Sequence, residues 1–194
     1  MRFYLAGPEV FLADAEAVAA AKKAICASHG AEGVFPTDHR ADPAADSAAA
    51  EHMQLYLRNE AHIRACDALV ANLTPFRGPS ADPGTAYEVG FMRALGRPVF
   101  GYANVARRFA ARTLAHLGPA ARRRADGSWE DSEGMALEDF DLFDNLMLDC
   151  GIAASGGTLV VQEVADPAAR WRDLSAFARC VEAATRQLAS PSSA

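Results

Sequence analysis

Glu88 stands in the stretch Asp82-Pro83-Gly84-Thr85-Ala86-Tyr87-Glu88-Val89-Gly90-Phe91-Met92, two turns into a helix that is apolar on nearly every side. A carboxylate in that setting is costly unless a partner or a reaction uses it. Gly84 lies one turn earlier on the same helical face. A glycine there costs helix stability and leaves open space over the carboxylate, where a substrate can sit. The positive end of the helix favours a nearby negative charge and is expected to keep Glu88 ionised and nucleophilic. The structural alternative is a glutamate paired with Arg77 or Arg93. Asp82, directly before Pro83, reads as a helix cap; while one of its oxygens caps, the other is free for a hydroxyl group. Tyr4 reads either as a core aromatic or as a phenol partnered by Glu88.

Other chemistries lack their signatures. The chain has no Gly-x-Gly-x-x-Gly fingerprint, no phosphate-binding Gly-Lys-Ser/Thr loop and no His-Glu-x-x-His. His29, His39, His52, His62 and His116 have no ligand-like spacing, and Cys26, Cys66, Cys150 and Cys180 are too scattered for a zinc site or disulfide framework. The expectation is carboxylate chemistry with no cofactor and no metal, and reduced, partly buried thiols in a cytoplasmic protein. The formal net charge of -6 argues against a nucleic-acid or anionic-membrane surface, but not against a small neutral substrate. No apolar run is long enough to span a bilayer, and the amino terminus does not read as a signal peptide.

The elements that must position these residues can be read from apolar runs and their punctuation. The 194 residues suit one domain, expected over 1–189 with a disordered tail from Ser190. Strands are expected at Phe3–Ala6, Gly33–Pro36, Asp67–Leu73, Pro98–Tyr102 and Thr158–Val161. Helices are expected from Asp14, as its cap, to about His29, and from near Asp46 to Cys66 with Met53, Leu57 and Ile63 facing inward. Two more are expected from Asp82 to Gly96 and from Pro167 to Leu188. The arginine-rich and then acidic stretch over 104–140 reads as a solvated insertion, with a lid as the functional alternative. This alternation implies an α/β fold: a flavodoxin-like, doubly wound, parallel five-stranded sheet with helices on both faces. Ligands then gather beyond the strand carboxyl ends, where the loops after Ala6 and Leu73 lie side by side.

Four blocks together resemble the nucleoside 2-deoxyribosyltransferase family. They are Tyr4-Leu5-Ala6-Gly7-Pro8-Glu9-Val10-Phe11, then Cys66 to Pro79, then Asp82 to Gly90 followed by Ala94-Leu95-Gly96-Arg97-Pro98-Val99, and finally Asp144-Asn145-Leu146-Met147. The resemblance implies a role in nucleoside salvage, with a deoxynucleoside and a free nucleobase as the small-molecule partners. It further implies that Glu88 is the nucleophile of a two-step, retaining displacement through a covalent deoxyribosyl-enzyme. On the same basis Tyr4 orients the nucleophile and Asp82 holds sugar hydroxyls. Gly7, Asn59, Asn72, Pro75, Phe76 and Gly84 contact substrate. Asn145, which also reads as an asparagine at a helix end, reaches the sugar of a neighbouring subunit in a homodimer or higher homo-oligomer. Some family members carry an aspartate where this chain has Asn59, beside Glu60. An amide cannot donate a proton as a carboxylic acid does, so Asn59 is expected to hydrogen-bond the base or to leave proton delivery to water. Two other functions suit the same scaffold. One is hydrolysis of deoxynucleoside 5′-monophosphates, with Arg77, Ser80 and backbone N–H groups holding the phosphate. The other is a non-catalytic nucleotide-sensing module.

Overall fold

A computed structural model of the chain describes residues 1–38 and 50–189. Along the chain run β1 (Arg2–Ala6), α1 (Ala15–Ser28), β2 (Glu32–Val34), α2 (Glu51–Arg64), β3 (Ala68–Asn72), α3 (Pro83–Ala94) and β4 (Val99–Ala103). There follow α4 (Phe109–Leu117), a short hairpin of β5 (Arg122–Arg123) and β6 (Trp129–Glu130), α5 (Leu146–Ala154), β7 (Leu159–Val161) and α6 (Ser175–Ala189). The main sheet has the order β2-β1-β3-β4-β7 with every pair parallel, which is the flavodoxin-like arrangement. β1 and β3 are neighbours, Tyr4 opposite Leu69 and Ala6 opposite Ala71, so the loops that follow them open at the same edge.

Strand alternation divides the core into two layers. Phe3, Leu5, Val70, Phe100 and Tyr102 face the side covered by α1 and α6, whereas Tyr4, Ala6, Leu69, Ala71 and Val99 face α2, α3 and α5. Tyr4 is thereby directed toward α3, the helix that carries Glu88.

Beneath the end of β1 lies an ion pair that sequence reading passed over. Glu9, in a 3-10 turn at Pro8–Phe11, and Lys22 on α1 are both fully buried and meet at 2.5 Å. The same Oε1 of Glu9 accepts from Asn72 at 2.9 Å and from Tyr102 at 2.7 Å. Burial pushes the Glu9 carboxyl up, but the Lys22 charge and these hydrogen bonds outweigh it and hold the group below the ordinary carboxylate range. The Lys22 ammonium also lies 5.1 Å from the centre of the Phe177 ring and 5.4 Å from that of Tyr102.

Several expectations need correction. Asp14 makes no capping bond, because Arg172 holds both of its oxygens. On α2 Ile63 is buried, but Met53 and Leu57 are 44% and 49% exposed, since the helix packs inward mainly through its carboxyl-terminal end. The start expected near Asp46 lies outside the described residues, as does the tail from Ser190. α6 begins at Ser175 rather than Pro167. The intervening residues form turns whose Arg170 and Asp173 carbonyls accept from the Asn104 side-chain amide, and the Asp173 carboxylate accepts from the Ser175 N–H. The 104–140 stretch contains α4 and the hairpin. Its Arg112 is not solvated: it is buried and donates to the carbonyls of Pro79, Arg107 and Phe143 and to Asp144. Cys26, Cys66 and Cys180 are buried free thiols, and Cys150 is exposed. Among the described residues no helix is long and apolar enough to cross a membrane, and no cluster of His, Cys, Asp or Glu is placed to hold a metal.

Candidate active site

α3 starts as its sequence dictates. Asp82 is the N-cap and its Oδ2 accepts from the Thr85 backbone N–H at 2.9 Å and from the Thr85 hydroxyl at 3.2 Å, with Pro83 in the first turn. Both bonds use one oxygen, so Oδ1 stays out of the cap. From this fixed start the helix carries Glu88 over the end of β1, where the Tyr4 hydroxyl donates to Glu88 Oε1 at 2.5 Å. Tyr4, rather than Arg77 or Arg93, is therefore the partner of the carboxylate.

Burial raises the Glu88 pKa to about 7. The Tyr4 hydrogen bond opposes that rise and the Asp82 charge adds to it. This corrects the expectation that the helix dipole keeps the group ionised. The dipole acts over the first turn, and Glu88 lies beyond it, where desolvation is the larger effect. Near neutral pH the carboxyl is thus divided between its two forms. Burial, and then the adjacent Glu88 charge, push the Tyr4 phenol far above its usual range, so it remains a donor at any working pH.

Two cavities meet at Glu88. The larger, about 350 Å³, runs between α2 and α3 and includes Tyr56, Glu60, Ile63 and Tyr87. The smaller, about 150 Å³, lies toward the end of β1 and includes Gly7, Phe11, Asp82 and Thr85. Asn59, Gly84 and Glu88 line both. Gly84 leaves room for the cap: a Cβ there would fall 2.9 Å from Asp82 Oδ2 and would displace that carboxylate. At Gly7 a Cβ would fall 2.1 Å from Glu9 Oε2, so only glycine lets the chain turn over that buried carboxylate.

Of the residues expected at the site, Tyr4, Gly7, Asn59, Asp82, Gly84 and Glu88 come together around these cavities. Asn72, Pro75 and Phe76 line neither. Asn72 is buried and spends its amide on Glu9 and on the Thr74 N–H. Phe76 stacks on Phe11 at 5.5 Å and so braces a wall of the smaller cavity from behind. Asn145 caps α5, accepting from the Met147 N–H and donating to Glu138. It lines a third cavity, about 520 Å³, on a different face of α3 with Pro83, Ala86 and Met147. Of the residues suggested for phosphate binding, Ser80 donates to Asp144, and the Arg77 guanidinium lies over the Phe76 and Phe11 rings. No described residue of 104–140 lines either cavity at Glu88. Tyr56 and Tyr87 were not singled out in the sequence, and Glu60 was named only as the neighbour of Asn59. The i,i+4 spacing of Tyr56 and Glu60 on α2 was the available signal, but their meeting with Tyr87 depends on how two helices pack.

The family described as nucleoside 2-deoxyribosyltransferase matches residues 3–147. An uncharacterized protein of Schizosaccharomyces pombe is 30% identical over 168 residues, 81% of this chain and 80% of its own length. Among solved structures, the 2-desoxiribosyltransferase from Leishmania mexicana is 28% identical with a TM-score of 0.57, covering 89% of this chain and 95% of that one. A conserved protein from Enterococcus faecalis shares the fold, at 20% identity and a TM-score of 0.55 over 94% of this chain and 97% of its own.

Proposed function

The chain belongs to the nucleoside 2-deoxyribosyltransferase family, and from that premise we propose that it moves a 2-deoxyribosyl group from one nucleobase to another through a covalent ester on Glu88. The observation that carries this reading is a carboxylate at the junction of two cavities, with one oxygen held by Tyr4. The smaller cavity has the size and the Asp82 carboxylate that a sugar needs. The larger has aromatic walls suited to a base. Glu88 Oε2, the oxygen that Tyr4 leaves free, attacks C1′. The C1′–N bond breaks, and its electron pair departs with the base, which takes up a proton. A nitrogen of the incoming base then attacks C1′ from the vacated face and loses its proton, and the C1′–O bond breaks to restore the carboxylate. Two inversions retain configuration. Water in place of the second base would give hydrolysis.

The hydrolytic alternative asks Arg77, Ser80 and backbone N–H groups to hold a 5′-phosphate, but the Ser80 hydroxyl is committed to Asp144, and neither Ser80 nor Arg77 lines the cavities at Glu88. Asn145 lies on the face of α3 turned away from Glu88, which suits a homo-oligomer in which it reaches the sugar of a neighbouring copy. The function is tested by incubating deoxyinosine with and without free adenine. Deoxyadenosine formed only when adenine is present supports transfer. Base released only from 5′-phosphorylated donors favours the hydrolase, and a folded protein that cleaves no donor counts against both.

Tyr4→Phe tests the positioning of the nucleophile. The lost hydrogen bond had lowered the Glu88 pKa, so the carboxyl becomes harder to ionise. Because the ionised form reacts, activity rises with pH through this pKa. The rising limb is therefore expected near pH 7 in the native enzyme and at higher pH in the variant. A pH–rate profile should show kcat/KM reduced about tenfold at neutral pH, with the gap narrowing as pH rises. An unshifted limb would remove Tyr4 from this role.

A further inference from the structure

The larger cavity has an uneven supply of hydrogen-bonding groups. On α2, Tyr56 and Glu60 are one turn apart, and Tyr87 reaches across from α3. The hydroxyls of Tyr56 and Tyr87 both donate to Glu60 Oε1, at 2.5 and 2.7 Å, and lie 3.0 Å from each other. The phenolic protons are therefore spent on the carboxylate. Its other oxygen, Oε2, forms an ion pair with Arg64 at 3.7 Å, beyond direct hydrogen-bond distance. Next to Glu60 in the chain, Asn59 Oδ1 is buried with no hydrogen-bond partner. An unpaired buried acceptor costs stability unless a ligand satisfies it. The cavity thus offers acceptors from two adjacent residues, with aromatic rings and Ile63 forming its walls.

From this arrangement we infer that Glu60, together with Asn59, selects nucleobases bearing an exocyclic amino group, so that the enzyme prefers adenine to hypoxanthine and cytosine to uracil. The inference rests on the transfer reading above, since it assigns the base to the larger cavity. An amino group brings two N–H bonds to a cavity wall that supplies acceptors. A lactam N–H satisfies one of them, and its neighbouring carbonyl oxygen is brought toward the carboxylate. A site built to accept hydrogen bonds discriminates strongly against a ligand that leaves its acceptors unpaired. Hydrogen bonds from Tyr56 and then Tyr87 hold Glu60 below the ordinary carboxylate range, so it remains an anion at neutral pH.

The test is a competition in one vessel: deoxycytidine as donor with equal concentrations of adenine and hypoxanthine as acceptors. Both acceptors meet the same glycosyl-enzyme, so the ratio of deoxyadenosine to deoxyinosine reports selection alone and is unaffected by a general loss of activity. The native enzyme should favour deoxyadenosine about ten- to hundredfold. Glu60→Gln, which presents an amide donor to the carbonyl, should lower the ratio at least about tenfold. A native ratio near one, or a ratio unchanged in the variant, overturns the inference while leaving transfer intact. If neither product forms, the transfer reading fails instead. Calorimetric binding of free adenine and free hypoxanthine to the native protein then decides the selectivity without turnover: tighter adenine binding upholds it and equal affinities overturn it.

Discussion

Glu88→Gln protein is expected to fold and to lose deoxyribosyl transfer by at least about ten-thousandfold, a loss of roughly 5 kcal/mol of transition-state stabilisation. The amide keeps the shape of the side chain and its contact with the Tyr4 hydroxyl, so the substitution isolates the nucleophile. The same variant carries a second signature. The native carboxyl has a folded pKa of about 7 against an ordinary value of 4.5. Folding therefore favours its protonated form, and stability falls as pH rises from the unfolded pKa through the folded one. Above neutral pH the glutamine removes that penalty. Glu88→Gln should be more stable than the native protein at pH 8 by on the order of 1–3 kcal/mol, and the difference should vanish near pH 4. Urea unfolding at the two pH values measures both effects. A variant that is destabilised at pH 8 would show that the carboxylate is not held at a cost.

The largest expected effect on stability is at Lys22. Lys22→Met leaves the Glu9 carboxylate buried among Asn72, Tyr102 and Gly7 without its cation. Removing one partner of a buried ion pair costs about 3–5 kcal/mol, because the remaining charge has no compensation. The double variant Glu9→Gln, Lys22→Met should recover most of that loss, since no unpaired charge remains. Unfolding in urea of the two singles and the double completes the cycle. Additive losses would mean that the pair is not coupled. The consequence reaches the site, because the Glu9 turn continues into Phe11, a wall of the smaller cavity.

How much was legible in the sequence follows from which interactions are local. The central strands were readable because parallel strands covered on both faces are continuous apolar runs, as in Ala68–Asn72. The start of α3 was readable because Asp-Pro-Gly-Thr encodes its own cap. α5 was less plain: Leu146–Ala154 is apolar but for Asp149 and lacks the amphipathic period that marks a helix. Lys22 stands in an alanine-rich helix, and nothing nearby in sequence announces that Glu9 and three aromatic rings close over it. At the site, Glu88 and Gly84 were visible because both lie on one helix. The contact of Tyr4 with Glu88 spans 84 positions and could be named only as a candidate. The expectation that Glu88 stays ionised gave the helix dipole more weight than the desolvation of a carboxylate among apolar neighbours.

The central claim is a covalent deoxyribosyl ester on Glu88. Its most direct test is the intact mass of native protein mixed with a deoxynucleoside in the absence of any acceptor base, quenched rapidly in acid and followed by peptide mapping. The account predicts an added deoxyribosyl mass on the peptide containing Glu88, discharged when adenine is supplied and absent in Glu88→Gln. Turnover with no such adduct at any quench time, or an adduct on another residue, would contradict it.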